Sequence, residues 1–325
     1  MSSDEEVQAI RVERTGGPEV LQLKPTTLGS VGPDQMKVGI RAAGVNFIDI
    51  YFREGSYQRE TPFTIGLEGA GEVLAVGSGV SQFRVGDRVA WENVPGSYAE
   101  QVVGPAAKFI PVPDDVSDLD AAAFPLQGLT AQYLTSSTYP VRPGDDVLIH
   151  AGAGGVGQLL IQVAKLLGAR VISTASSAAK QDLARAAGAD DVIGYDGFDE
   201  VVKDLTGGAG VAAVFDGVGK DTFDRSLNSV KTRGTMVLFG AASGQPEPVD
   251  PRRLAARSLF LTRPTLAHHV QDQNELLERA AQVLGWIAAG QLAISIGATY
   301  PLADAAQAQQ DLAARKTTGK LLLIP

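Results

Sequence analysis

A glycine turn between a strand and a helix constrains this chain more than any other stretch. Val147, Leu148 and Ile149 form a short apolar run of the length expected for a buried parallel strand. The turn Gly152-Ala-Gly-Gly-Val-Gly157 follows. Leu159, Leu160, Val163, Ala164 and Leu167 then recur at helical spacing until Gly168 ends the pattern. Gly152, Gly154 and Gly157 have the G-x-G-x-x-G spacing, in the strand–turn–helix context that gives the motif its meaning. A tight turn, close backbone approach to a pyrophosphate and the free N–H groups of a helix N-terminus together predict a dinucleotide site. The 37 glycines of the chain would make the triplet alone weak; its flanks make it specific.

A length of 325 residues suggests about two domains. With 44% hydrophobic and 20% charged residues, a large core is expected and disorder is not. The net charge of −9 argues against a nucleic-acid surface. No apolar run approaches the roughly 18 residues of a membrane span. The acidic start, Met1-Ser-Ser-Asp-Glu-Glu6, lacks the apolar stretch of a signal peptide. The absence of cysteine excludes disulfides, thiolate metal sites and a cysteine nucleophile, and a cytoplasmic enzyme fits it.

Residues 7–125 read as short strands with Gly and Pro punctuation, at 7–12, 20–23, 36–40, 72–76, 85–89 and 98–103, which suggests an antiparallel barrel-like domain. A helical patch follows over 120–134. Strands at 146–150, 170–174, 191–194, 211–215, 234–239 and 258–262 then alternate with helices at 155–167, 178–187, 199–205 and 221–229. Six strands with crossover helices predict an α/β fold, a doubly wound parallel (Rossmann) sheet beside the strand-rich domain. An amphipathic helix over 275–289, a strand at 294–299, a helix near 304–314 and a strand at 320–324 end the chain.

Gly144-Asp145-x-x-Leu148, Gly154-Gly155-x-Gly157 and Gln162-x-x-Lys165 together resemble the signature of the zeta-crystallin-like quinone oxidoreductases, zinc-free members of the medium-chain dehydrogenase/reductase superfamily. The family favours Ser or Ala before the glycine pair; Gly152 replaces one of them. Asn46-Phe-Ile-Asp-Ile-Tyr51, Gly66-Leu-Glu-Gly-Ala-Gly71, Val85-Gly-Asp-Arg88, Gln127-Gly-Leu-Thr130, Asp216-Gly-Val-Gly219 and Thr262-Arg-Pro264 extend the resemblance over nearly the whole chain. It implies a GroES-like catalytic domain over 1–126, a nucleotide-binding domain over 127–266 and a return to the first domain over 267–325. It also implies NADPH-dependent, metal-free hydride transfer to quinones.

The superfamily's zinc enzymes carry a Cys near the position of Asn46 and a His where Leu67 stands, and neither an amide nor a leucine replaces such ligands. Of the three histidines, His150 reads as a packed or capping residue, and His268 and His269 as solvated loop residues. No metal is expected. Without a Lewis acid, the natural acceptor is already electrophilic, a quinone or conjugated enone.

By resemblance, Asn46, Asp49, Tyr51 and Tyr57 form the substrate and nicotinamide side: the amide as a donor or ribose contact, a tyrosine as proton donor, Asp49 as catalytic or, more simply, as the buried partner of an arginine. Gln127 and Thr130 face the nicotinamide or cap their helix. Gly154, Gly155 and Val156 meet the pyrophosphate. Ser176, Lys180 and Tyr195 surround the adenosine end, Val218, Phe239, Gly240 and Ala241 lie near the nicotinamide, and Arg263 and Lys320 are further cofactor candidates.

The strand Arg170-Val-Ile-Ser-Thr174 lacks the terminal acid that accepts from an NAD ribose. Ser176, Ser177 and Lys180 offer donors instead, which predicts NADPH over NADH. Two alternatives remain: an enone or enoyl-thioester reductase, and a non-catalytic structural or RNA-regulatory nucleotide-binding protein, which the acidic charge disfavours. The apolar sixth strand over 258–262 predicts an edge that pairs two chains into a homodimer.

Overall fold

The computed structural model describes residues 5–314 and 317–325; residues 1–4 of the acidic start lie outside the described residues. The chain divides into two units. The first runs to Leu126 and takes up again over Leu276–Gly290 and Ile294–Pro325, and the second comprises Gln127–Glu275 and Gln291–Ala293.

The first unit is built on β1 (Glu5–Val12), β2 (Leu21–Leu28), β3 (Gln35–Val45), α1 (Phe47–Glu54), β4 (Phe63–Thr64), β5 (Glu68–Val76), β6 (Arg88–Trp91), β7 (Gln101–Pro105), β8 (Ile110–Pro111) and α2 (Asp118–Ala123). One sheet has the order β2-β1-β4. In β3, Met36, Val38 and Ile40 are buried alternately, the period-two pattern of a strand with one face on the core. Met36, Val38, Trp91, Tyr98 and Phe109 share that core with Leu321 and Leu323.

The helical patch over 120–134 is not continuous. Pro125 lacks an N–H and starts α3 (Pro125–Tyr133), after which a π-helical turn spans Leu134–Thr138.

The second unit continues with β9 (Asp146–Ile149), α4 (Gly155–Leu166), β10 (Arg170–Thr174), α5 (Ala178–Ala186), β11 (Asp191–Ile193), α6 (Phe198–Leu205), β12 (Val211–Asp216), α7 (Phe223–Ser229), β13 (Val230–Leu238), α8 (Arg252–Ala255) and β14 (Phe260–Thr262). The six strands form one sheet of order β11-β10-β9-β12-β13-β14, parallel throughout. Order reverses beside β9, and ligands of such sheets bind at this switch point, beyond the carboxyl ends of the strands. β14 is shorter than expected because Ser258 adopts φ 50° and interrupts the extended backbone.

Next come α9 (Leu266–His269) and α10 (Gln273–Ala288). Residues 267–275 group with the second unit, and not with the C-terminal return. His269 is no solvated loop residue: its ring stacks on Tyr133 with centroids 4.3 Å apart.

In the first unit, β15 (Ile296–Pro301), α11 (Ala305–Ala313) and β16 (Lys320–Ile324) end the chain. β16 pairs antiparallel with β3, Leu322 opposite Gly44, within a sheet of order β15-β16-β3-β5-β6-β8 in which β7 also pairs β3. This register brings Lys320 to the segment that follows β3. Among the described residues, no helix is long and apolar enough to cross a membrane.

Candidate functional site

In the nucleotide-binding unit the turn after β9 is built by close approach. A Cβ on Gly157 would lie 2.2 Å from the Ala151 carbonyl oxygen, and one on Gly155 would lie 2.3 Å from the Gln127 amide. Ala151 itself takes φ 54°, a left-handed conformation unusual for alanine. Helix α4 begins at Gly155 with Gly154 as its N-cap and no side-chain cap hydrogen bond. Its first-turn N–H groups and the positive end of its dipole are therefore presented to an anion. The residues thus fit a dinucleotide pyrophosphate. Gln127 reaches this turn, and Thr130 is buried farther along α3.

At the end of β10, Ser177 caps α5 by accepting the Lys180 backbone N–H at 3.4 Å. Ser176 is exposed and Lys180 half-buried. The next carboxylate, Asp182, pairs with Arg185 at 2.7 Å. The Tyr195 hydroxyl accepts the Ala151 N–H at 3.1 Å, which ties it to the glycine turn. Val218 donates its N–H to Asp216 at 2.8 Å, and Ser243 donates its N–H to the Val218 carbonyl at 2.8 Å. A Cβ on Gly217 would meet the Phe239 ring at 2.9 Å, and one on Gly240 the Gly217 oxygen at 2.6 Å. Val218 and residues 239–241 thus form one pair of packed turns. Arg263 is exposed and donates to the Leu238 carbonyl at 3.3 Å.

His150 is packed inside this unit, as its sequence position suggested. It is buried, with Nδ1 2.8 Å from Thr174 Oγ1 and Nε2 2.8 Å from Ser226 Oγ. Ser226 donates to Asp216 Oδ2 at 2.8 Å, so its lone pairs face His150 and the ring donates from Nε2. Burial pushes the imidazole pKa down, against the opposing charge of Asp216. A neutral ring ties together the ends of β9, β10 and β12.

In the barrel unit, Asn46 and Asp49 form a capping box on α1, with the Asn46 N–H donating to Asp49 Oδ2 at 2.9 Å. The partner of Asp49 is not an arginine: the Tyr98 hydroxyl donates to Asp49 Oδ2 at 2.8 Å, and Arg53 is bonded to Gln309. Burial pushes the Asp49 carboxyl up to about 7, and Asp49 Oδ1 has no hydrogen-bond partner among the described residues. Tyr51 and Tyr57 pack ring to ring at 5.4 Å, with Tyr57 exposed.

Lys320 is fully buried in this same unit. Its ammonium donates to Asn46 Oδ1 at 2.7 Å and pairs with Glu68 Oε2. The Asn46 amide nitrogen donates to Glu68 Oε2 at 2.7 Å, and the Leu126 N–H to Glu68 Oε1 at 2.7 Å. Gly44 makes the pair possible, since a Cβ there would lie 2.1 Å from Glu68 Oε2. Both ends of the Asn46 amide are engaged within the protein, and the Lys320 ammonium is held by Asn46 and Glu68. Glu68 was visible in the sequence only as the third residue of Gly66-Leu-Glu-Gly-Ala-Gly71.

A Rossmann sheet with this glycine turn and a GroES-like barrel define a dinucleotide-dependent oxidoreductase of the medium-chain type. Two family models agree: the alcohol dehydrogenase GroES-like domain matches residues 32–114 and the zinc-binding dehydrogenase domain residues 155–282. The chain is 44% identical to a quinone oxidoreductase of Pseudomonas aeruginosa over 95% of this chain and 97% of that one. It is 40% identical to a 2-haloacrylate reductase of a Burkholderia species over 98% and 99%. The crystal structure of Escherichia coli quinone oxidoreductase complexed with NADPH matches with a TM-score of 0.95 at 40% identity, over 98% of this chain and 100% of that one. The chain belongs to the zinc-free quinone oxidoreductase family of the medium-chain dehydrogenase/reductase superfamily.

The zinc of the superfamily's alcohol dehydrogenases does not fit here. Leu67 is buried where those enzymes have a histidine, Asn46 replaces a cysteine, and the Lys320 ammonium already bridges Asn46 and Glu68. Among the described residues, no group of three or more His, Asp or Glu side chains is placed to hold a metal ion.

Proposed function

We propose that this protein is an NADPH-dependent quinone oxidoreductase that transfers hydride without a metal. The observation that carries this reading is the Lys320 ammonium, held by Asn46 and Glu68 in the segments where zinc relatives carry ligands. Bound NADPH supplies a hydride to an electrophilic acceptor. The protein supplies the rest. The first turn of α4 holds the pyrophosphate. Ser176, Lys180 and Tyr195 suit a 2′-phosphate, which no carboxylate at the end of β10 repels. A quinone or conjugated enone spreads the arriving charge onto its oxygens and needs hydrogen-bond donors, not a Lewis acid. Tyr51 and Tyr57 stand as candidate donors. The fixed Asn46–Glu68–Lys320 network holds the start of α1, which carries Tyr51.

The relative that reduces 2-haloacrylate favours a second reading, reduction of a conjugated carbonyl. A panel of quinones, enones and enoyl thioesters, followed by NADPH absorbance, separates the two. Quinones are expected to turn over fastest; turnover of thioesters with none of quinones would overturn the first reading.

A cytoplasmic location is consistent with the absence of cysteine. The charge of −9 speaks against an RNA-binding role. A homodimer is supported by β14, the edge strand of the parallel sheet, where Phe260 is 62% exposed. Light scattering is expected to give the mass of two chains, and Phe260→Lys to shift it toward one; a monomeric parent at micromolar concentration would contradict this.

A further inference from the structure

The barrel unit holds an acid that nothing above uses. Glu92 follows β6 directly, and the last recorded pair of β5 and β6 sets Gly69 opposite Trp91. Glu92 is the residue after Trp91 and Glu68 the residue before Gly69, so the antiparallel course of the two strands brings the two acids near each other, and the charge of Glu68 acts on Glu92. Glu68 itself contacts Asn46 and Lys320. Glu92 therefore lies beside the cluster of Asn46, Glu68 and Lys320, on the side that the resemblance assigns to the acceptor.

Its environment is unlike that of the other acids there. Glu68 is bonded at both oxygens, and Asp49 is sealed, with no exposure, under Tyr98 and the Asn46 N–H. Glu92 is 9% exposed, and no hydrogen bond or ion pair joins its carboxyl to another described residue. A carboxyl nearly removed from water and without a partner is costly as an anion and serves naturally as an O–H donor. The Asn46 amide, with both ends engaged, offers no comparable donor to an acceptor oxygen.

We propose that Glu92 is the proton donor of acceptor reduction, a catalytic residue that delivers its carboxylic proton to the oxygen on which charge develops. Hydride adds to the acceptor and its electron pair moves to a carbonyl oxygen. The Glu92 O–H bond breaks as an acceptor O–H bond forms, leaving a hydroquinone or enol and a Glu92 carboxylate. Solvent water reprotonates that carboxylate at its exposed edge.

The surroundings hold the acid form. Burial and the charge of Glu68 on β5 push the Glu92 carboxyl up to about 7, and Lys108, in the turn Ala106–Lys108, opposes them. Lys320 on β16 acts on the pair through Glu68. The donor form dominates below the raised pKa and is lost above it, so turnover falls as pH rises through about 7.

This inference rests on the acceptor reduction proposed above, and two measurements keep the two apart. Quinone turnover by the parent tests that reading alone. Glu92→Gln tests the donor: kcat is expected to fall roughly tenfold or more at acidic pH, with KM for NADPH unchanged and the alkaline fall of kcat abolished. Glu92→Asp, which keeps the acid, is expected to restore the fall. In the protein without cofactor, the infrared difference between parent and Glu92→Gln is expected to show a protonated carboxyl band that disappears as pH rises through neutrality. Three results would overturn the assignment: a parent-like pH profile in Glu92→Gln, loss of the alkaline limb in Tyr51→Phe or Tyr57→Phe instead, or no titrating band.

Discussion

Lys320→Met is expected to destabilise the barrel unit by about 3–5 kcal/mol, the cost of leaving one partner of a buried ion pair alone. Both partners of the ion pair are fully buried, so removing the ammonium leaves the Glu68 carboxylate in a site that water does not reach. The Asn46 Oδ1 acceptor is orphaned at the same time. The methylene stem of lysine is nearly matched by methionine, so packing contributes little to the difference. Adding Glu68→Gln to Lys320→Met is expected to recover much of the loss, because the residual charge is then gone.

Both tryptophans of the chain, Trp91 and Trp286, lie in the first unit, so their fluorescence in a denaturant titration follows that unit. A Lys320→Met midpoint close to the parent's, or a double variant no better than the single, would contradict this account. The same titration addresses Lys320 as a cofactor contact, since a lysine reserved for cofactor would leave the unliganded protein's stability unchanged.

Lys180→Ala is expected to weaken NADPH binding about 10- to 100-fold and leave NADH binding nearly unchanged. A charge-assisted hydrogen bond to phosphate is worth roughly 1.5–3 kcal/mol, and about 1.4 kcal/mol is tenfold in affinity. Lys180 sits in the first turn of α5, where Ser177 caps the helix, and no acid stands at the end of β10. NADH lacks the phosphate and so lacks the contact. Dissociation constants of both cofactors for parent and variant decide the matter; equal loss for both, or a parent that prefers NADH, would show that another residue reads the 2′ position.

The parallel sheet was legible because each of its strands is a local signal. Val147–Ile149 is continuous and apolar, and every strand lies near the helix that returns the chain to the sheet. The glycine turn was legible because sterics restrict that backbone: Gly155 and Gly157 leave no room for a Cβ. What escaped was long in sequence or set by register. Lys320 and Glu68 are 252 residues apart and meet only because β16 pairs with β3. The same return makes the Asn46 amide an internal bridge, which no local pattern encodes. Asp49 resembled an arginine's partner because burial of an acid usually implies a cation; the phenol of Tyr98, supplied by another strand region, took that place. His150 gave a correct sense of burial, but its bonds to Thr174 and Ser226 depend on which strands neighbour β9. Glu92 gave no local signal, since its placement follows from the pairing of β5 with β6.

The central claim is that an internal ammonium stands where related enzymes carry zinc ligands and that hydride transfer to a quinone proceeds without a metal. Its most direct test is NADPH-dependent quinone reduction by protein dialysed against a strong chelator, with zinc measured on the same sample. Full activity at far less than one zinc per chain is the predicted result. Activity that disappears with the chelator and returns with stoichiometric zinc would contradict it.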